Sequence, residues 1–400
     1  MAAACAVLCA LAGPLVMAVP GAQAKPTPSA SSTPRARPAA AASPESAGVP
    51  ALGSSAARGV GGPLMASTGT VVNYPSPSAP KLPKIPASAW VIANASTGQV
   101  LAAKDPHGEF GPASTLKVLT GITLLPLLNP NSMVVASKFA ADQQPNSAGL
   151  IPGRSYKVSS LFQALLLISA NDAAVALTEA TGSFAKGMAL INAEARHLQA
   201  YDVVAKLPNG LPATGQVTSA YDEALIARQA LQMPSFMIYD STLSARFEVK
   251  PKKWETLVNQ NNLLTQYPGA LGGKIGWTIS SEATYVGMAR RNGVTLIATV
   301  LHCTALKEIT SAEKLLNWGF AMNGKVKPVG DLVDPLQPAR HTKPAKKRPD
   351  TLASSRPPGG PDAKKVAIAS GGGVIVLAGL GVGGLATRRR IRRRRLRRLW

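Results

Sequence analysis

"PASTLKVLT", residues 112–120, sets a serine and a lysine three positions apart at the head of an apolar stretch. The pattern runs on through "GITLLPLL" as a helix, and Ser114 suits its N-cap. Residues three apart share a helix face, so Ser114 and Lys117 stand close together. The positive end of the helix disfavours an ammonium and favours an oxyanion. A lysine whose ammonium form is destabilised can take the place of a histidine base, which makes Ser114 a candidate nucleophile. The pattern is short, and S-x-x-K recurs at Ser78/Lys81, Ser183/Lys186 and Ser311/Lys314. Two motifs further along the chain set Ser114 apart.

"SAND", residues 169–172, falls in the turn between two helical stretches, "VSSLFQALLLIS" and "DAAVALTEATG". Ser169 and Asn171 are short polar side chains that can point the same way there, with a simple helix cap as the alternative. "GGKIGWT", residues 272–278, then places Lys274-Ile275-Gly276 between a turn and the last hairpin. The four histidines offer no comparable base. His341 lies in a Pro/Lys-rich stretch, and His107, His197 and His302 share no metal-ligand spacing, so each reads as structural.

The elements around these motifs are mixed. "SAWVIANASTGQVLAA" alternates, turns at Thr97-Gly98 and alternates again, and "ATYVGMARRNGVTLIATVLH" is two strands around Asn292-Gly293. "ALKEITSAEKLLNWGF" closes as an amphipathic helix. Strands at both ends with helices between them predict an α/β fold whose sheet is largely antiparallel.

Together, S-x-x-K, S-x-N and K-x-G in this order resemble the penicillin-recognising serine enzymes. "LLLISANDAAVALTEATGS", "PNGLPATGQVTSAYDEALIAR" and "TYVGMARRNGVTLIATVL" are similar to D-alanyl-D-alanine carboxypeptidases of actinobacterial cell walls, over about residues 86–322. The resemblance implies a penicillin-binding-protein/β-lactamase-like fold, with a mainly antiparallel sheet flanked by helices and an all-helical subdomain. It implies hydrolysis of the terminal D-Ala from peptidoglycan pentapeptide stems through an acyl-enzyme, with β-lactams as covalent inhibitors and neither metal nor organic cofactor.

In that reading Ser114 is the nucleophile, Lys117 its base and Ser169 a proton relay. Asn171 holds the substrate amide, Lys274 faces its terminal carboxylate, and Gly276, Trp277 and Thr278 complete the binding strand. The backbone N–H groups of Ser114 and Trp277 form the oxyanion hole. Ile275 departs from the pattern, since the family has a hydroxyl residue there. A weakly active or inactive relative that only binds peptidoglycan or a partner is therefore an alternative. A β-lactamase is a third, because "EKLLN", Glu313 to Asn317, matches a deacylating-loop pattern, although it follows the K-x-G element instead of preceding it.

The flanks account for the charge. The chain carries a net +23, yet residues 86–335 hold twenty Lys/Arg against seventeen acids, while residues 336–400 hold seventeen against two. A phosphate-tracking surface needs its charge on the folded part, so nucleic acid is excluded as a partner. Residues 1–24 read as a signal peptide ending at Ala22-Gln23-Ala24. Residues 25–85 read as a disordered Ala/Pro/Ser-rich linker, 86–325 as the catalytic domain and 326–365 as a Pro/Lys-rich spacer. Residues 366–386 are apolar enough for one transmembrane helix, and the Arg-rich tail 387–400 stays in the cytoplasm. The layout predicts a single-pass protein of the cell membrane with its catalytic domain outside. Cys5 and Cys9 leave with the signal, and Cys303 remains as a buried hydrophobe.

Overall fold

After a 3-10 turn at Pro63–Ala66, the chain enters β1 (Thr70–Val72), and the first hairpin follows as β2 (Ala87–Asn94) and β3 (Gln99–Lys104). A computed structural model describes residues 59–337. Next comes a helical half: α1 (Leu116–Leu124), α2 (Lys138–Ala141), α3 (Val158–Leu167), α4 (Asn171–Glu179), α5 (Phe184–His197), α6 (Ala220–Leu231) and α7 (Pro234–Asp240). It carries two small antiparallel pairs, β4 (Met133–Val135) with β5 (Ser155–Lys157) and β6 (Ser244–Lys250) with β7 (Lys253–Val258). The chain then passes α8 (Leu263–Gln266) into β8 (Ala270–Thr278), β9 (Glu282–Arg291) and β10 (Val294–Cys303), and on to α9 (Glu308–Met322) and β11 (Gly330–Asp331).

The main sheet is antiparallel in the order β1-β3-β2-β10-β9-β8, with β11 also on β3. Asn292 and Gly293 make the β9–β10 turn at φ 48° and 81°, the left-handed pair that a two-residue hairpin requires. Alternation along β2 sorts its side chains between two cores. Val91 and Ala93 face the helical half, whereas Trp90 and Ile92 face Leu315, Leu316 and Trp318 of α9. The sheet is thus covered on both faces, and β8 is left as the edge strand beside the helical half.

Three expectations change. Ser114 does not cap α1. Residues Ala113–Thr115 form a 3-10 turn, Thr115 occupies the N-cap without a side-chain capping bond, and Ser114 Oγ accepts from Lys117 instead.

Residues 59–85 are not linker. β1 pairs with β3, Met65 is fully buried, and Pro80 O accepts the indole N–H of Trp318. Buried His107 ties this segment down between Asp202 and Val60 O, at 2.7 and 3.1 Å.

Residues 326–337 are not spacer either, since β11 pairs with β3 and Val326, Val329 and Leu332 are buried. In both segments the free edge of β3 supplies partners for backbone groups, so a few apolar side chains suffice to dock a composition that looks disordered. The signal, transmembrane and tail expectations lie outside the described residues.

Candidate active site

Local chain geometry aims the first motif. Ala113 adopts φ 46°, a left-handed conformation unusual for alanine, and turns Ser114 into the cleft at the head of α1. Two hydroxyls hold this turn in place: Thr115 Oγ1 donates to Pro112 O at 2.7 Å, and Thr284 Oγ1 of β9 donates to the same carbonyl at 2.9 Å. Ser169, at φ 61°, sits in the break between α3 and α4, and Asn171 opens α4. Non-glycine residues in this region cost energy that the surrounding packing must hold, and they concentrate at functional sites.

All three motifs meet. Lys117, fully buried, donates from Nζ to Ser114 Oγ at 2.9 Å, Asn171 Oδ1 at 2.7 Å and Asn209 O at 2.6 Å. Burial, and then the charge of Lys274, push its ammonium well below the ordinary lysine range. Ser169 Oγ is buried and has no hydrogen-bond partner within the protein. Lys274 on β8 is likewise buried, is pushed down by burial to about 7, and donates to Ile275 O at 2.8 Å. The carboxyl of Asp240 opposes that shift from nearby. It accepts from Gly273 N at 2.8 Å and is itself raised by burial to about 7.

Gly276 explains how close β8 comes to the nucleophile. A Cβ there would lie 2.6 Å from Ser114 N and 2.4 Å from Thr284 Oγ1, so only glycine permits the approach. The cleft between them is a cavity of about 230 Å³ lined by Ser114, Ser169, Asn171, Ile275, Trp277 and Thr278, among others. Every site residue expected from the sequence except the two buried lysines thus presents a surface to one cavity. Ile275 offers it only carbon. Thr278 Oγ1 accepts from Ser281 N at 2.9 Å and lies 3.4 Å from Ser280 Oγ, where either hydroxyl can donate.

Several contributors were not singled out from the sequence. Asn209 supplies a carbonyl to Lys117, and Gly210 follows it at φ 80° against Ala113 O. An Asn-Gly dipeptide signals a turn but not what that turn packs against. Asp172, beside the motif, accepts from Ala148 N and Leu150 N and fastens the loop that forms one cleft wall. Asp240 lies 34 residues before Lys274, a separation with no local signature.

A serine–lysine pair, a second serine and an edge strand carrying a lysine, on an antiparallel sheet flanked by helices, define an active-site-serine enzyme of the penicillin-recognising class. A family model described as D-alanyl-D-alanine carboxypeptidase, peptidase S11, matches residues 76–305, and the chain belongs to this family.

The D-alanyl-D-alanine carboxypeptidase DacB2 of Mycobacterium tuberculosis is 38% identical over 256 residues, covering 62% of this chain and 87% of that protein. A D-alanyl-D-alanine carboxypeptidase of M. tuberculosis H37Rv has a crystal structure similar to this one, with a TM-score of 0.62 at 36% identity over 65% of this chain and 99% of that one. The Streptomyces K15 DD-transpeptidase structure gives 0.57 at 27% identity over 60% and 100%.

Proposed function

We propose that the protein is a serine-type D-alanyl-D-alanine carboxypeptidase that trims the terminal D-Ala from peptidoglycan stem peptides and is acylated by penicillins. The observation that carries this reading is the 2.9 Å contact between Ser114 Oγ and a buried lysine whose ammonium form is disfavoured. A neutral Lys117 amine takes the Ser114 proton as Oγ attacks the carbonyl of the penultimate D-alanine. The developing oxyanion is held by the backbone N–H groups of Ser114 and Trp277, a reading supported by the close approach of Gly276 to Ser114 N. Ser169 Oγ passes a proton to the departing D-Ala amine, Asn171 holds the substrate amide, and the ammonium of Lys274 attracts the terminal carboxylate. Water then releases the shortened peptide from Ser114, and no metal or organic cofactor enters the cycle.

The test is covalent labelling with a fluorescent penicillin, followed by peptide mapping. The label is expected on Ser114 and absent from Ser114→Ala. Persistent labelling of that variant, or an adduct on Ser183 or Ser311, would overturn the assignment.

The binding-only alternative draws on Ile275, which removes one donor but leaves the Ser/Lys pair intact. The β-lactamase alternative loses its motif, since Glu313 to Asn317 lies within α9, outside the cleft lining.

Residues 366–386 are proposed as a single membrane anchor with the catalytic domain on the extracytoplasmic side, and residues 1–24 as its export signal. Among the described residues no helix is long and apolar enough to cross a membrane. Support comes from the apolar run and the arginine tail.

A further inference from the structure

A second cavity, of about 470 Å³, adjoins the catalytic cleft, and Leu211 lines both. The wall between them is built from catalytic neighbours. Asn171 Nδ2 donates to Gln144 O at 2.8 Å, and Asn209 Nδ2 donates to Gln143 Oε1 at 2.9 Å. Gln143 and Gln144 both line the second cavity, as does Asp142, its one charged lining residue. Lys138 Nζ lies 2.5 Å from Asp142 Oδ2, one turn back on α2, and the two side chains are 80% and 57% exposed.

The proposed chemistry orients a substrate across this wall. The leaving D-alanine lies toward Lys274 and Ile275, so the acyl portion runs the other way, past Asn171 and over Leu211. Reach agrees. Through Lys117 and Asn171, Gln144 O is no more than about 11 Å from Ser114 Oγ. The residue before the two D-alanines begins roughly 5 Å from the attacked carbonyl, and a four-carbon side chain adds about 6 Å.

We propose that this cavity is the subsite for that side chain. Asp142 in its lining, with its ion-pair partner Lys138, selects a side chain ending in both an amine and a carboxylate, as in a diaminopimelate-type stem. An exposed ion pair contributes little by itself, so exchanging its two contacts for a matching zwitterion costs little. A side chain bearing only an amine satisfies Asp142 alone, and a neutral one satisfies neither. The inference rests on the carboxypeptidase reading for the direction of the substrate.

The experiment uses pentapeptides with meso-diaminopimelate, L-lysine or L-norleucine before D-Ala-D-Ala, with kcat/KM read from D-Ala release. The wild-type protein is expected to prefer diaminopimelate over norleucine by about five- to tenfold, with lysine between. Asp142→Asn is expected to bring the lysine-to-norleucine ratio to about one, and Lys138→Gln to bring the diaminopimelate-to-lysine ratio to about one.

Wild-type rates within twofold of each other for all three peptides, or ratios unmoved in both variants, would overturn the subsite. Calorimetric binding of the same peptides to Ser114→Ala separates the two readings. If no peptide is hydrolysed but the affinities follow the same order and the same variant dependence, the subsite stands and the hydrolytic reading fails. Equal affinities sink the subsite itself.

Discussion

At the residue scale, Ile275 and the Lys274–Asp240 pair govern how a terminal carboxylate is received. Isoleucine cannot donate, and a hydrogen bond to a charged group contributes about 1.5–3 kcal/mol. Ile275→Thr is expected to raise kcat/KM on a D-Ala-D-Ala peptide roughly 10- to 150-fold, with little gain on the C-terminally amidated peptide. An unchanged rate with a fast wild type would assign the role to Thr278, which lines the same cleft three residues along β8.

Lys274 adds a pH dependence. Burial pushes it down to about 7, so its charge is present below that pH and lost above it. The KM for the peptide should therefore rise as pH passes about 7. Asp240→Asn removes an anion that favours the ammonium, so the inflection should move to lower pH, and an unmoved inflection would separate Asp240 from this role. For stability the sign is opposite to a salt-bridged lysine. The unfolded chain holds the proton up to the ordinary 10.5, so between about 7 and 10.5 it binds more protons and this group's contribution to stability rises with pH.

At the element scale, two turns with the same backbone demand serve different ends. Gly293, at φ 81°, closes the β9–β10 hairpin, and a Cβ there would meet nothing within 4 Å. Gly210, at φ 80°, sits against the nucleophile's turn, and a Cβ there would fall 1.7 Å from Ala113 O. Gly293→Ala is expected to cost about 1 kcal/mol in thermal or denaturant unfolding and leave penicillin acylation unchanged. Gly210→Ala carries that cost plus a displacement of the Ser114 turn, and acylation should slow at least about tenfold, since small misplacements of a nucleophile cost that much or more. Equal acylation rates in the two variants would show that the 209–210 turn does not position Ser114.

On the scale of the whole molecule, the sheet separates the chemistry from the chain exits. β1 and β11 both lie on β3, while the cleft is at β8, four strand spacings away, or about 19 Å. A fragment of residues 59–337 is expected in the soluble fraction with the full chain's acylation rate, while the full chain pellets with membranes. A fragment of residues 86–325 loses the edge cover of β3 and the burial of Met65, Val329 and Leu332, at about 1.5–3 kcal/mol for each large side chain. It should melt at least several degrees lower. Equal melting of the two fragments would return residues 59–85 and 326–337 to the status of linkers.

The sequence alone determined the elements and the chemistry-bearing residues, because both are carried by short-range signals. Alternation and turn dipeptides placed the two hairpins, and Ser114/Lys117, Ser169/Asn171 and Lys274/Gly276 each lie within a few residues of one another. Tertiary structure decided what depends on contacts between distant segments. It withdrew Ser114 from a capping role through a 3-10 turn that Thr284 of β9 holds at Pro112 O, and it set Asp240 beside Lys274. It also ordered two Pro-rich flanks through the free edge of β3. Those outcomes rest on burial and on backbone groups that find partners only after the sheet has formed, and no local pattern encodes them.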